Sequence, residues 1–304
     1  MKKIPNFVLI LMIPGLFAGC AKNPGPMATF TLDPEEGTTT TEFTLDASNS
    51  RDLSTPTDQL LYRWDWEGDG VFDTDYSFQP TVLHIFPLAG ETKIILEVTD
   101  QQGKTDLVSQ KVNIGEGSHG LFKDTRDNQL YQFRKIGAQT WMAQNLNFVT
   151  ASGSSVYNED PAKAGIYGRL YTWETSRSVC PAGWHLPSDE EWMQLEKFST
   201  MMTTEAEATG CRGYQGMYLK SREGWLIAGH YNFNGDNSTG FTGLPGGYYR
   251  PEDGYNGLYY AALFWTSSET DPENAWSRRL VTGSEVCRDP SPKVDGYSVR
   301  CVKD

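Results

Sequence analysis

Four of the five cysteines set the strongest constraint on the fold, because all four lie in the C-terminal part of the chain. They are Cys180, Cys211, Cys287 and Cys301. The spacing contains no CxxC motif and no cluster of cysteine with histidine that would indicate a metal site. The chain also begins with a leader typical of an exported protein, and exported cysteines meet an oxidising environment. The even set therefore predicts two disulfides, for which three pairings are possible.

The leader has the flanks of a signal peptide. Lys2 and Lys3 precede an apolar run, residues 7–17, that is too short for a comfortable membrane span. The ending LFAGC resembles the lipobox of bacterial lipoproteins, with Phe17 where leucine is usual. The resemblance implies a signal peptide over 1–19, lipidation of Cys20 and a short lipidated tether over 20–26. The alternative is an ordinary signal peptide that is cut nearby.

Residues 27–114 have the pattern of an all-β domain. Short runs with partial alternation, such as EFTLDAS, LYRWDW and KIILEVTD, are separated by turn residues at the spacing of a β-sandwich. The segments FTLDASNS, YRWDWEGDGVFD and LEVTDQQGKT resemble a PKD domain, an immunoglobulin-like sandwich common in bacterial surface proteins. The resemblance implies a spacer or a module for weak contacts.

The stretch DWEGDGVFD allows two interpretations. Asp65, Glu67, Asp69 and Asp73 are spaced like the front half of a calcium loop, with a glycine at the sharp turn. The bidentate acid expected at the twelfth position is missing, since Tyr76 stands there. The sequence leaves open whether this is a calcium site or a hairpin turn with solvated acids.

A flexible linker at 115–120, GEGSHG, separates the sandwich from a second region, residues 121–304, with an α+β pattern. Within it, Ser188 and Glu191 form a capping box that predicts a helix from Asp189. The acids of the first turn suit the helix dipole and do not converge into a catalytic cleft. His185 is accordingly interpreted as a structural residue.

The second region resembles a known family. The segments DTRDNQLYQFRKIGAQTWMAQNLNF, YGRLYTW, CPAGWHLPSDEEWMQLE, LPGGYYRPEDG, FWTSSE and SVRCVKD are similar to the Fibrobacter succinogenes major paralogous domain. This resemblance implies a C-type-lectin-like fold and nested disulfides, with Cys180 joined to Cys301 and Cys211 joined to Cys287 to pin a long loop. The other possibility is that Cys211 and Cys287 are free or pair otherwise. The LP-acid-acid-x-W segment is also similar to the formylglycine-generating enzyme family.

The long loop, which begins near residue 231, is rich in glycine, asparagine and tyrosine. Loops of this length in a compact domain are usually functional or held in place by a cross-link. Aromatic faces with amide and carboxylate groups suit a sugar ring or an extended peptide. The alternative is that the tyrosines cover the core and the asparagines make turns. The candidate ligand-binding residues are Asn234, Asp236, Asn237, Tyr248, Tyr249, Arg250, Asp253, Tyr255 and Asn256.

Composition and motifs narrow the class of function. The net charge of −13 and the lack of a basic stripe exclude nucleic acid as a partner. No GxSxG, HExxH or P-loop motif occurs, so we expect no enzymatic activity and no catalytic residues. No cofactor is predicted with certainty, although calcium is possible.

The expected architecture is multidomain: an all-β immunoglobulin-like sandwich (PKD-like), followed by an α+β C-type-lectin-like domain. The expected role is that of a lipid-anchored cell-envelope protein in the outer membrane, which acts in adhesion or in carbohydrate or protein binding. A purely structural surface protein and a formylglycine-generating-type modifying enzyme are the alternatives. Free thiols would favour the enzyme.

Overall fold

The computed structural model of the protein describes residues 24–304, so the predicted signal peptide and Cys20 lie outside the described residues. The structure is mostly β, with 41% strand and 13% helix. The first seven strands belong to the region predicted as a sandwich. They are β1 Thr31–Asp33, β2 Gly37–Thr38, β3 Glu42–Asp46, β4 Leu61–Asp65, β5 Thr81–Ile85, β6 Gly90–Thr99 and β7 Thr105–Gly115, with a 3-10 turn at Thr57–Gln59.

These strands form two sheets, with the orders β1-β3-β5 and β2-β7-β6-β4. β4 runs antiparallel to β6, and β2 runs parallel to β7. The alternation in LYRWDW sends Tyr62 and Trp64 into the interior, where 2% and 1% of their surfaces are exposed. Trp66 lies beyond the end of β4, half-buried, and stacks on Trp64 with ring centroids 5.5 Å apart.

Within residues 24–304, the remaining strands and the five α-helices belong to the C-terminal region. The strands are β8 His119–Lys123, β9 Leu130–Ile136, β10 Gln139–Met142, β11 Ser154–Ser155, β12 Leu170–Tyr171, β13 Trp184–His185, β14 Gly210–Arg212, β15 Ile227–Ala228, β16 Tyr231–Asn232, β17 Gly246–Arg250, β18 Gly254–Leu258, β19 Ala261–Glu269, β20 Asn274–Val281, β21 Val286–Pro292, β22 Tyr297–Ser298 and β23 Val302–Lys303. The helices are α1 Pro161–Tyr167, α2 Trp173–Ser176, α3 Asp189–Phe198, α4 Thr203–Glu207 and α5 Gly216–Leu219, and a 3-10 turn spans Tyr157–Glu159.

A five-stranded sheet has the order β13-β23-β10-β9-β8. A larger sheet runs β11-β12-β22-β19-β20-β21-β14, with β17 beside β19 and β18 beside β17. Its central strand β19 is buried on both faces, which is why AALFWT reads as a continuous apolar run. Leu263 and Trp265 enter one hydrophobic core, while Ala262 and Phe264 enter a second core that contains Trp192 of α3.

The described chain separates into two compact units. The first contains the described residues up to Thr31 with Leu45–Val82 and Lys93–Gln110, and the second contains Leu32–Thr44, Leu83–Thr92 and Lys111–Asp304. Within residues 24–304, no helix has both the length and the apolar character needed to cross a bilayer.

Candidate functional site

The turn after β4 gathers three of the four acids predicted as calcium ligands. Asp65, Glu67 and Asp73 each offer one carboxylate oxygen, and these oxygens lie within 4.8 Å of one another. Asp69 lies outside this group, and its carboxylate accepts the N–H of Val71 at 2.7 Å. Among residues 24–304, no other group of three or more His, Cys, Asp or Glu side chains converges in this way.

Asp65 also builds the turn itself. It is fully buried, and its two carboxylate oxygens accept the N–H groups of Gly68 and Gly70 at 2.7 and 2.9 Å. Both glycines have positive φ, 69° and 90°, which residues with a side chain rarely adopt. The turn therefore holds its shape through Asp65, and the predicted sharp turn at Gly70 is present.

Negative charge is concentrated around Glu67. Burial raises the pKa of Glu67, and the charges of Asp73, Asp69 and Asp65 raise it further. A set of carboxylate oxygens is the donor set that a hard cation such as Ca²⁺ prefers. These residues fit calcium by their chemistry, and a bound cation would relieve the repulsion among them.

The substitution Glu67→Gln tests this turn. A raised pKa means that the ionised carboxylate weakens the folded state at neutral pH, so with chelator we expect E67Q to melt about 2 °C higher than the wild type. With millimolar calcium we expect the order to reverse, because only the wild type keeps all three carboxylates. Differential scanning calorimetry of the whole chain gives both values. Identical curves with calcium and with chelator in the wild type would exclude a calcium site here.

The predicted start of α3 is confirmed. The hydroxyl of Ser188 accepts the N–H of Glu191 at 3.2 Å, and the Glu191 carboxylate accepts the N–H of Ser188 at 2.7 Å. This reciprocal pair is the capping box that the sequence predicts, and it satisfies two backbone donors that the helix leaves unpaired.

Asp189 has a larger role than the helix dipole implies. It is 6% exposed, and its carboxylate pairs with Arg278 at 2.7 Å and with Arg288 at 2.6 Å. Glu196 lies two turns further along α3 and pairs with Arg278 and Arg212 at 2.7 Å each. Burial alone would raise the pKa of Asp189, but the arginines hold it below its ordinary value. The acids of this helix are structural, within a buried ion network.

His185 bridges two carboxylates. Its Nδ1 lies 2.6 Å from Asp304 Oδ1, and its Nε2 lies 2.8 Å from Glu191 Oε1. Burial alone would lower the pKa of His185, but the hydrogen bonds and charges of Asp304 and Glu191 raise it above 6.5. The geometry gives the imidazolium a partner on each side, as expected for a structural histidine.

The raised pKa of His185 makes the stability of the fold depend on pH. Protonated His185 stabilises the fold fully below about pH 6.5, and this contribution is lost as the pH rises through the higher pKa of the folded state. We expect His185→Gln to melt about 2 °C below the wild type at pH 5.5 and level with it at pH 9. Melting curves of both proteins across this range provide the measurement. A gap that widens with rising pH would contradict the assignment.

Both disulfides are present with the pairs that the resemblance implied. Cys180 is bonded to Cys301 with the two Cα atoms 5.9 Å apart, and Cys211 is bonded to Cys287. Cys211 and Cys287 lie directly opposite each other on β14 and β21. The second bond therefore joins two neighbouring strands and does not pin the loop after residue 231, which corrects the role expected for it.

A buried lysine connects the loop segment to the sheet instead. Lys220 is fully buried, and its Nζ donates to the carbonyl oxygens of Phe233 and Gly283 at 2.8 Å each. It also lies 3.2 Å from the Val281 carbonyl oxygen. Burial lowers the pKa of Lys220 to about 8. One ammonium group thus links the loop to the end of β20.

The predicted ligand-binding residues fall into two groups. Asn234 and Asp236 accept local backbone N–H groups, from Trp225 at 2.9 Å and from Ser238 at 2.8 Å. Asn237 makes two hydrogen bonds with a threonine five residues later. These three side chains build turns. The other six share one hairpin, β17–β18: Tyr248, Tyr249, Arg250, Asp253, Tyr255 and Asn256.

The hairpin presents tyrosines to two separate cavities. Tyr249 and Tyr255 are directly opposed across it, with ring centroids 4.9 Å apart, and both line the first cavity. Tyr248 precedes Tyr249 and lines the second. Successive side chains of a strand point to opposite faces, so the sequence GGYYR supplies one aromatic ring to each cavity.

We call the first cavity the tyrosine cleft. It has a volume of about 300 Å³ and combines two aromatic rings with hydroxyl groups and one carboxylate. This is the composition of a small polar-ligand site, in which ring faces provide contact area and a few polar groups fix orientation. Its principal side chains are Ser154, Ser155, Glu159, Thr172, Tyr249 and Tyr255.

The wall of the tyrosine cleft is held in an unusual backbone conformation. Asn158 and Glu159 have φ values of 53° and 55°, so two consecutive residues with side chains are left-handed. Gly247 lies against the Tyr157 ring that precedes them: it has a φ of 71°, and a Cβ there would meet that ring at 2.7 Å. Such conformations persist where the surroundings impose them, and they are concentrated at binding sites.

Sequence reasoning missed Tyr157 and Glu159. The Tyr157 ring lies 5.5 Å from that of Tyr255, although about a hundred residues separate them. The visible signal was the Asp160–Pro161 start of α1, where Asp160 accepts the N–H of Ala162. That signal locates a helix start but does not indicate which distant strand lies beside it.

Residues 135–303 match the model of the family described as the Fibrobacter succinogenes major domain. The match spans more than half of the chain, and the chain therefore belongs to this family. No curated protein matches the chain.

Solved structures give weaker likenesses. The PKD1 domain of Epp from Vibrio anguillarum is 21% identical over 32% of this chain and 100% of that domain, with a TM-score of 0.25. The PKD1 domain of the metalloprotease PrtV from Vibrio cholerae is 22% identical over 30% of this chain and 96% of its own, with a TM-score of 0.23. A carbohydrate-binding module of the β-sandwich superfamily is 14% identical over 93% of this chain and 92% of its own, with a TM-score of 0.29.

Proposed function

We propose that the protein is a non-catalytic carbohydrate-binding protein of the cell envelope, which binds a saccharide in the tyrosine cleft. The observation that carries this proposal is the opposed pair Tyr249 and Tyr255 beside Glu159, whose backbone is left-handed. Ring faces stack on the apolar faces of sugars. A carboxylate accepts hydrogen bonds from sugar hydroxyls, and nearby protein hydroxyls both donate to them and accept from them. Adhesion to a glycan-bearing surface would follow from the same contact.

The proposed binding does not need calcium. The C-terminal region is proposed to be a C-type-lectin-like domain. C-type lectins that hold sugar through calcium often carry Glu-Pro-Asn, and the segment DPENAW at residues 271–276 holds these residues in a different order. Within the described chain, the acids that converge closely enough for a cation lie in the turn after β4. The tyrosine cleft has a single lining carboxylate, Glu159. A saccharide would therefore be held by stacking and direct hydrogen bonds.

The cysteines argue against the enzyme alternative. A formylglycine-type modifying enzyme would need a free thiol as its reactive group. The four cysteines between residues 24 and 304 are all in disulfides, Cys180 with Cys301 and Cys211 with Cys287. This supports a binding role over catalysis.

Binding is tested on the full mature chain carrying Cys20→Ser. A glycan array run with calcium and with chelator identifies a ligand, and titration calorimetry then compares variants. We expect Tyr255→Ala to weaken binding about tenfold, since it removes one stacking face. Tyr231→Ala is the matched control, because Tyr231 is 70% exposed on the β15–β16 hairpin. Equal losses in both variants, or binding that requires calcium, would refute the tyrosine cleft. No binding to any glycan would favour the purely structural alternative.

The lipid anchor is part of the same proposal. Cys20 lies outside the described residues, and LFAGC resembles a lipobox, so we propose attachment to the outer membrane through that cysteine. Growth of a Gram-negative host with labelled palmitate should label the wild-type protein and leave Cys20→Ser unlabelled. Label retained in Cys20→Ser would contradict the anchor, while the carbohydrate-binding proposal would stand.

A further inference from the structure

The second cavity beside the β17–β18 hairpin differs from the tyrosine cleft in charge. We call it the arginine cleft. It has a volume of about 470 Å³ and is formed by one side of the hairpin, the turn before β19, and β20 and β21. Its charged and aromatic lining consists of Tyr248, Arg250, Tyr260, Arg279, Asp289 and Tyr297. Two guanidinium groups face one carboxylate here, whereas the tyrosine cleft has only the carboxylate of Glu159.

Arg279 is positioned to bind an anion other than its ion-pair partner, Asp289. Its Nη2 lies 3.4 Å from Asp289 Oδ2, and the two side chains are 40% and 36% exposed. An ion pair that long and that accessible to water contributes little to stability. Its described hydrogen bonds, to Asp289 and to Cys211 Sγ at 3.8 Å, both run from this one nitrogen. A guanidinium has five N–H donors in a fork that matches a carboxylate, so Arg279 can bind a second anion at small cost.

Arg250 lies on the other side of the arginine cleft, beside the buried carboxylate of Asp295. Its Nε lies 3.4 Å from Asp295 Oδ2, and its guanidinium lies 4.9 Å from the centre of the Tyr248 ring. Asp295 is 1% exposed, so Arg250 supplies charge that this buried carboxylate requires. Arg250 and Arg279 thus each present a guanidinium group whose charge one carboxylate offsets and whose remaining N–H donors can bind a ligand.

The aromatic side of the arginine cleft is also held in place. Gly257 has a φ of 77°, and a Cβ there would meet the Tyr248 ring at 2.9 Å. Tyr259 has a φ of 70°, which is an outlier for a bulky residue. Tyr260 follows directly in the chain, and its side chain is 52% exposed at the rim of the arginine cleft. A strained turn beside an exposed ring is the arrangement expected of a ligand clamp.

We propose that the arginine cleft is a second saccharide subsite, specific for a sugar that carries a carboxylate, a hexuronate. Arg279 and Arg250 bind the carboxylate, and Tyr248 and Tyr260 contact the ring faces. This deepens the proposed function, on which it rests for the class of ligand, and it adds a site on the opposite face of the hairpin. A neutral sugar would offer no carboxylate to the N–H donors of these two guanidinium groups.

The test uses the full mature chain and trimers of galacturonate, mannuronate and guluronate, each with its methyl ester. The ester keeps the length and the rings and removes the charge. We expect one of the acids to bind at least about tenfold more tightly than its ester, and to weaken when NaCl is raised from 0.05 to 0.5 M. Equal binding of acid and ester would overturn the proposal.

Variants separate the two clefts. We expect Arg279→Gln and Tyr260→Ala each to weaken uronate binding about tenfold, and the exposed control Tyr231→Ala to leave it unchanged. Melting curves identify any variant that fails to fold, and the exposed Tyr260 keeps the test valid if Arg279→Gln is unstable. Uronate binding lost in Tyr255→Ala alone would place the carboxylate in the tyrosine cleft, which overturns this proposal and keeps the earlier one.

Two further results also refute the arginine cleft as a saccharide subsite. One is binding of a neutral glycan with no uronate binding, which again leaves the tyrosine cleft intact. The other is an acidic hexapeptide that binds as tightly as the uronates, because the cleft would then recognise charge without a sugar ring. Failure of every saccharide would refute both proposals together.

Discussion

Replacement of Cys180 and Cys301 by alanine is expected to lower the free energy of unfolding by about 5 kcal/mol. The bond spans 121 residues of sequence, and in the chain-entropy model a loop of that size gives a loss of this magnitude. Cys301 is also fully buried in the core around Trp265 and Tyr297. Guanidinium unfolding of the double variant and the wild type, followed by near-ultraviolet circular dichroism, measures the difference.

The second disulfide provides the comparison. Cys211 and Cys287 are separated by 76 residues, for which the same relation gives about 4.5 kcal/mol. The entropic contribution depends on the logarithm of loop length, so the two alanine variants should differ by less than about 1 kcal/mol. A loss below about 1 kcal/mol for the Cys180–Cys301 variant would show that the bond does not stabilise the fold through the unfolded chain.

Features encoded by nearby residues could be predicted from the sequence. The start of α3 follows from Ser188 and Glu191, which are three residues apart and bind each other directly. The sharp turn after β4 follows from glycine at position 70 among acids that can accept its N–H. The tyrosine-rich loop was identified by composition, and six of its nine candidate residues lie on one hairpin.

Features that depend on contacts between residues far apart in the chain could not be predicted from the sequence. Glu159 lines the tyrosine cleft only because β17 and β18 pack beside the turn that contains it. The sequence showed Asp189 as one acid among three in a first turn, and its arginine partners lie 89 and 99 residues away on β20 and β21. Spacing along the chain carries no information about such pairs, which is also why Arg279 was missed.

Asp189→Asn is the second prediction with a large effect, about 3–5 kcal/mol of destabilisation. The buried network contains three arginines and two acids, and Asp189 is the counterion of both Arg278 and Arg288. Its loss leaves buried guanidinium charge uncompensated, which is costly because water cannot replace the partner.

The neighbouring residue isolates the cause of that loss. Glu190 also lies in the first turn of α3 but is exposed, so Glu190→Gln removes the same interaction with the helix dipole and no buried pair. We expect it to cost less than about 0.5 kcal/mol. The destabilisation by Arg278→Met should fall between those of Asp189→Asn and Glu190→Gln. Asp189 keeps Arg288 as a partner, and removal of the Arg278 guanidinium lowers the excess of positive charge in the network. Chemical denaturation of the three variants gives this order. Equal effects of Asp189→Asn and Glu190→Gln would mean that the dipole, and not the ion network, determines the stability of this helix.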